Sequence, residues 1–294
     1  MPIARTRSVL SGMRVKEAMR RQMIALAGSM PVSTGIGRLI KAKADALLVM
    51  DAEDRPAGVV SKTDMVGAYY AGLPVDTPLE AIMVGPLQTC FIDDDLDQAL
   101  DVMRSHAIHQ LFVVGAEAGR FEGVLHYGDI LGLVFQICRR CRKSQMRRSN
   151  AADGRWPDAA VDDVMTPQVM ACSVDDTLTI VIESLTAHRM NALLVTDTGG
   201  HPAGVISKTN LVLAWHHGIG PDARAAVVMS EPVVSCGRGE PISQAMTAML
   251  LGDMGRIFVH DGDPRSIVGV LSLSDAANNR SGTCRACVSS RMIG

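Results

Sequence analysis

Two residue patterns in this chain have the types and spacing to do chemistry. The first is Ser61-Lys62-Thr63-Asp64, which returns as Ser207-Lys208-Thr209-Asn210 and, more loosely, as Ser272 to Asp275 and His126 to Asp129. Ser61 follows a Val-rich stretch and opens a helical run. The first N–H groups of a helix are unpaired and sit at the positive end of its dipole, which suits a phosphate. Asp64 lies on the same turn and can accept from both hydroxyls of a ribose, as acids do in other nucleotide folds. Lys62 and Lys208 add positive charge. The same Ser-x-x-Asp spacing is also a helix-capping box that needs no ligand. Asp64 and Asp275 are the first candidates. Asp129 follows, because His126 stands where serine is expected, and Asn210 comes last, because an amide is a poorer ribose acceptor.

The second pattern is cysteine. Cys138-Arg139-Arg140-Cys141 and Cys284-Arg285-Ala286-Cys287 are both C-x-x-C. Together they hold four thiols, the number that binds tetrahedral zinc or an iron–sulfur cluster. Neighbouring arginines favour the thiolate. Dithiol–disulfide redox chemistry is the other reading, and inert tail thiols, disulfides formed on purification or simple inheritance by duplication need no function at all. Each motif follows a helix, whereas a thioredoxin-like catalytic pair opens one, so catalysis is disfavoured. Cys90 and Cys236 correspond to each other and read as core or cleft lining, and Cys172 as packing.

The elements that position these residues come from an internal duplication. Gly58-Val59-Val60-Ser61-Lys62-Thr63-Asp64 recurs 146 residues later, since 204 − 58 = 146, as Gly204-Val205-Ile206-Ser207-Lys208-Thr209-Asn210. The same offset pairs Met19 with Met165, Met83 with Met229, and Gly123 with Gly269. It also pairs Cys138 with Cys284 and Cys141 with Cys287. Each half is itself double: Met19, Gly58 and Asp64 correspond to Met83, Gly123 and Asp129. Four units of about 60 residues result, with boundaries at 15–72, 78–136, 160–218 and 222–280. A basic, cysteine-containing linker at 137–158 and a tail at 281–294 complete the chain. The third unit predicts a turn at Val161–Met165, a strand at Val169–Ser173, a helix at Asp176–Thr186 after an acidic cap, strands at Ala192–Thr196 and Ala203–Ile206, and a helix from Ser207 stopped at Gly218. The fold class is α/β (α+β): four βαββα units, each with a small three-stranded sheet.

Asp163-Val164-Met165-Thr166-Pro167, opening the third unit, and Gly-apolar-apolar-Ser-x-x-Asp, in the first and fourth, resemble the CBS domain family over roughly 15–280. The resemblance implies two pseudo-symmetric CBS pairs, or Bateman modules. Their clefts would bind AMP, ADP, ATP or S-adenosylmethionine and tune a partner protein. It further implies that the pairs stack within one chain or between two copies. The function expected is that of a stand-alone regulatory protein signalling to an unidentified partner by repacking, with a metal- or redox-responsive switch through the C-x-x-C pairs as the alternative. The first unit departs from the pattern: Met19 is followed by Arg20-Arg21-Gln22 rather than Thr-Pro. Arg20 and Arg21 read as a solvated pair, or otherwise as phosphate ligands.

Composition narrows the field. A net charge of −2 argues against a basic nucleic-acid binder, and 3% aromatics against stacking on single strands. No apolar run approaches the ~20 residues of a membrane span. The N-terminal arginines precede no clean signal-peptide core, and seven cysteines, an odd number, fit a reducing compartment, so the chain is expected to be cytoplasmic. No Walker loop, G-x-G-x-x-G or Ser–His–Asp set is present, so an enzyme is not expected. Most of the 18 methionines read as gap-fillers on helix core faces.

Overall fold

The computed structural model describes residues 9–115, 120–140 and 159–279. The duplication is visible in the register of the first helix of each repeat. In α2 (Val32–Ala42) the buried positions are Val32, Gly35, Ile36 and Leu39; in α4 (Leu96–Ser105) they are Leu96, Ala99, Leu100 and Met103. In α6 (Leu178–Ala187) they are Leu178, Val181, Ile182 and Leu185, and in α8 (Ile242–Leu251) Ile242, Ala245, Met246 and Met249. This i, i+3, i+4, i+7 spacing makes one apolar stripe per helix, which must bury against a sheet. The cap of α6 differs from expectation. Thr177 is the N-cap, while Asp176 accepts from the Ser173 N–H at 2.7 Å and shapes the preceding turn.

Each sheet has three strands, in the orders β1-β2-β3, β4-β5-β6, β7-β8-β9 and β10-β11-β12. The edge strands are β1 (Ala25–Ala27), β4 (Thr89–Phe91), β7 (Ala171–Ser173) and β10 (Ser235–Gly237). They run parallel to the central strands β2 (Ala46–Met50), β5 (Gln110–Val114), β8 (Ala192–Thr196) and β11 (Arg256–His260), with the helix as crossover. Hairpins then lead to β3 (Pro56–Ser61), β6 (Phe121–His126), β9 (Pro202–Ser207) and β12 (Ile267–Ser272). The central strands are buried along almost their whole length, so they read as apolar runs without alternation. The second helices follow directly: α3 (Lys62–Tyr70), α5 (Tyr127–Arg140), α7 (Lys208–His216) and α9 (Leu273–Asn278). Gly72 and Gly218 stop the first and third of these in the left-handed region, at φ +72° each.

The chain forms two compact units. One holds 22–88 with 169–233, which are repeats one and three; the other holds the described parts of 1–21, 89–168 and 234–294, which are repeats two and four. In the first unit α3 packs on α7, and the duplicate residues Tyr69 and Trp215 stack at 6.1 Å between centroids. Tyr69 Oη donates to the Ile219 carbonyl at 2.6 Å, and Trp215 Nε1 donates to the Leu73 carbonyl at 3.1 Å. In the second unit α5 packs on α9: Leu131 of repeat two is buried in the core of repeat four, and Ala277 of repeat four in that of repeat two.

One contact recurs in all four repeats. The segment following each repeated methionine crosses the third strand of a sheet in a two-bond bridge: Arg20 with Val124, Val84 with Val59, Thr166 with Val270, and Ser230 with Val205. Every bond in these bridges is 2.9–3.0 Å. The residue before each of those valines is a glycine, because the crossing segment leaves no room for a Cβ. At Gly58 it would lie 3.0 Å from the Val84 carbonyl oxygen, at Gly204 3.0 Å from that of Ser230, and at Gly269 3.0 Å from that of Thr166. At Gly123 it would overlap the Arg20 carbonyl outright. Met83, Met165 and Met229 press on these glycines and are only partly buried, so these three methionines are strand-crossing contacts.

Gly123→Ala is expected to cost about 1–3 kcal/mol, the usual penalty of overpacking against backbone. Gly132→Ala, in α5 with open space around the new Cβ, is expected to be neutral or stabilising by about 0.4–1 kcal/mol. Urea midpoints of the two variants check this.

Candidate functional site

The four helix starts of α3, α5, α7 and α9 share one local geometry. Asp64 Oδ2 accepts from the Ser61 N–H at 2.8 Å and from Ser61 Oγ at 2.6 Å, while the Asp64 N–H donates to Ser61 Oγ at 3.4 Å. Asp275 Oδ2 accepts from the Ser272 N–H at 2.9 Å and Ser272 Oγ at 2.5 Å. Asn210 Oδ1 does the same with Ser207, at 3.0 and 2.5 Å. In the second repeat Asp129 Oδ2 accepts from the His126 N–H at 3.0 Å, and His126 Nδ1 accepts from the Gly128 N–H at 3.0 Å. The imidazole nitrogen thus replaces the serine hydroxyl as cap, which requires Nδ1 to carry no proton. Capping and ligand binding are therefore compatible for an aspartate: the cap takes one oxygen and leaves the other.

The second oxygen distinguishes the repeats. Asp64 Oδ1 has no polar partner among the described residues. Asp275 Oδ1 has no hydrogen bond among them either; the adjacent Arg256 guanidinium, whose pKa burial pulls down, interacts with its charge. Asp129 Oδ1 is held by Arg20 Nε at 2.7 Å, with the carboxylate only 12% exposed. Arg20 is exposed, as a solvated side chain would be, but it is not free for phosphate: it is the partner of Asp129. Arg21 is exposed, 3.9 Å from Glu122. Asn210 is fully committed, its Nδ2 donating to the Val228 carbonyl and to Ser230 Oγ at 2.9 Å each.

The cations and hydroxyls of the pattern are also placed. Lys62 Nζ pairs with Asp45 Oδ1 at 3.0 Å. Lys208 Nζ reaches from the third repeat to Thr63 Oγ1 of the first at 2.9 Å, so the starts of α3 and α7 lie side by side. Thr209 is half-buried in the first turn of α7. Asp45, Ser230 and Arg256 were not singled out by sequence reasoning. The signal for Ser230 was present, since it follows Met229 as Arg20 follows Met19.

Cys141, Cys284 and Cys287, with the side chain of Cys138, lie outside the described residues. The described cysteines are packing residues. Burial pushes the Cys90 thiol up to about 12 and those of Cys172 and Cys236 up to about 11, with nearby carboxylates adding to the effect. No group of three His, Cys, Asp or Glu side chains among the described residues could hold a metal. No described helix is long and apolar enough to cross a membrane.

A family profile described as CBS domain matches four segments of the chain, residues 15–71, 79–135, 161–217 and 224–282. Among solved structures, a protein of Methanocaldococcus jannaschii, described as a proposed archaeal homolog of g-AMPK, aligns with a TM-score of 0.73 at 15% identity, over 90% of this chain and 99% of that one. A conserved protein of Pyrococcus horikoshii, described as uncharacterized, aligns with a TM-score of 0.57 at 16% identity, over 91% and 100%. No curated protein sequence matches the chain. At these identities the likeness to both structures is one of fold.

Because only thiolate reacts with alkylating agents, Cys90, Cys172 and Cys236 are expected to stay unmodified by iodoacetamide at pH 8 in the native protein and to be modified in denaturant. Peptide mapping by mass spectrometry reads this directly. Raising the pH towards 11 in the native state is expected to start their reaction, because the folded thiols then begin to ionise.

Proposed function

This chain belongs to the CBS domain family, and on that premise we propose that it is a regulatory, non-catalytic protein that binds adenosine-containing ligands at the capped starts of its second helices. The observation that carries the proposal is Asp64. Its carboxylate is fixed by Ser61 at the head of α3 and keeps one oxygen open, the arrangement a ribose diol needs from an acceptor. Ser61 and Thr63 lie on the same first turn, where unpaired N–H groups and the helix dipole favour a phosphate. Asp275, fixed by Ser272 at the head of α9, repeats the arrangement in the other unit. AMP, ADP, ATP and S-adenosylmethionine all carry the diol, and the phosphate-bearing members also use the helix start. A bound ligand would shift the protein between packing arrangements only by its differential affinity for them, and a partner protein would read the difference.

Asp64→Asn tests the reading without removing the cap, because Asn210 shows that an amide makes the same capping bonds. Loss of a charged acceptor weakens a hydrogen bond by about 1.4 kcal/mol or more, so calorimetric affinity for AMP at that site is expected to fall about tenfold. Asp275→Asn is expected to do the same for its own site. Unchanged affinity in the double variant, with an unchanged thermal midpoint, overturns the proposal.

A further inference from the structure

The four crossing segments each set one residue against the third strand, five residues ahead of a cap residue in sequence: Arg20 on Val124, Val84 on Val59, Thr166 on Val270, and Ser230 on Val205. Two of these residues reach the cap residue itself, Arg20 at Asp129 and Ser230 at Asn210. The backbone bridges are alike in all four repeats. The side chains are not. Arg20 puts a guanidinium nitrogen 2.7 Å from the one oxygen of Asp129 that the helix cap leaves over. Ser230 takes up an amide hydrogen of Asn210. Val84 carries no polar group, and Thr166 is exposed with no side-chain bond to Asp275 among the described residues.

We propose that the residue at this crossing position decides which repeat can take a ligand, and that Arg20 is a built-in plug on the acid of the second repeat. The proposal rests on the ribose-binding reading of Asp64 given above and goes beyond it by assigning sites. Repeats one and four each keep a carboxylate oxygen with no hydrogen bond among the described residues, the Arg256 charge acting on Asp275 without a bond to that oxygen; repeats two and three are closed by their own chain. For the second repeat the plug is electrostatic. A diol offering two neutral O–H donors must displace a bond in which both partners are charged, and it would leave the guanidinium without its carboxylate. Arg20 is also held at effectively high local concentration, because its backbone is bridged to Val124 and the rest of its segment is anchored on the same repeat. Val15 N–H donates to the Asp94 carbonyl at 3.0 Å, and Lys16 Nζ lies 2.7 Å from Asp93 Oδ1. For the third repeat the closure is by saturation, since every donor and acceptor of Asn210 is engaged.

The plug can be removed without disturbing the crossing. Arg20→Val installs the residue that the first repeat carries at this position, and Arg20→Thr the residue used before the fourth. Both keep the backbone bridge, and the Arg20 side chain is 45% exposed, so folding is expected to survive. Native mass spectrometry and calorimetry with AMP are expected to count two ligands on the wild-type chain and three on either variant. Arg20→Val combined with Asp129→Asn is expected to return to two. A count unchanged by both Arg20 substitutions overturns the plug, as does a wild-type count of three or more. Absence of AMP binding to wild type and variants alike overturns the ribose-binding reading itself, and the plug with it.

Discussion

Four glycines, Gly58, Gly123, Gly204 and Gly269, let a second stretch of backbone lie directly against the third strand of each sheet. That close approach is the constraint on which the rest of the architecture depends. A three-stranded sheet with a three-residue edge strand is near the lower limit of what folds alone, and the crossing segment supplies its extra pairing. In repeats one and three that segment is the opening of the next repeat along the chain. In repeats two and four it is the opening of repeats one and three. The second kind of crossing ties a sheet to residues about a hundred positions away, closing a long loop whose entropic cost grows only slowly with length.

The crossing also explains why a protein made of near-copies has sites that are not copies. Backbone geometry is the same at all four helix heads, since it is dictated by capping and by the glycine contact. Side-chain chemistry is free to differ at the one residue that each crossing segment delivers there. A lone oxygen on Asp64, a guanidinium on Asp129 and a saturated amide at Asn210 are three outcomes of a single scaffold. The interfaces between duplicates diverge in a similar way. Tyr69 and Trp215 are equivalent residues that stack on each other, while Lys62 holds Asp45 and its duplicate Lys208 reaches instead to Thr63.

Much of this was legible in the amino-acid order. The 146-residue offset aligned whole elements, the i, i+3, i+4, i+7 stripes located the first helices, and Ser-x-x-Asp located the starts of the second. The α6 cap was expected to be acidic and is Thr177, because the acid just before it, Asp176, serves the preceding turn, and only the path of the backbone separates the two uses. The pairing of repeat one with three and of two with four was not legible, because equal offsets say which residues are equivalent and nothing about which ones touch. Arg20 could not be matched to Asp129 for the same reason: the contact is long-range, and each residue taken alone resembles a surface charge. The buried state of Cys90, Cys172 and Cys236 was readable from their places in apolar strands.

The central claim is that one scaffold presents four helix-capping positions of which two, Asp64 and Asp275, are open to a ribose. A crystal structure of the full chain grown with AMP tests it most directly. The account predicts ligand at both of these residues, each ribose diol on the carboxylate oxygen that the cap leaves free, with the Arg20–Asp129 pair and the Asn210–Ser230 bond intact. Ligand on Asp129 with Arg20 displaced, or bound nucleotide whose ribose touches none of the four positions, would contradict it.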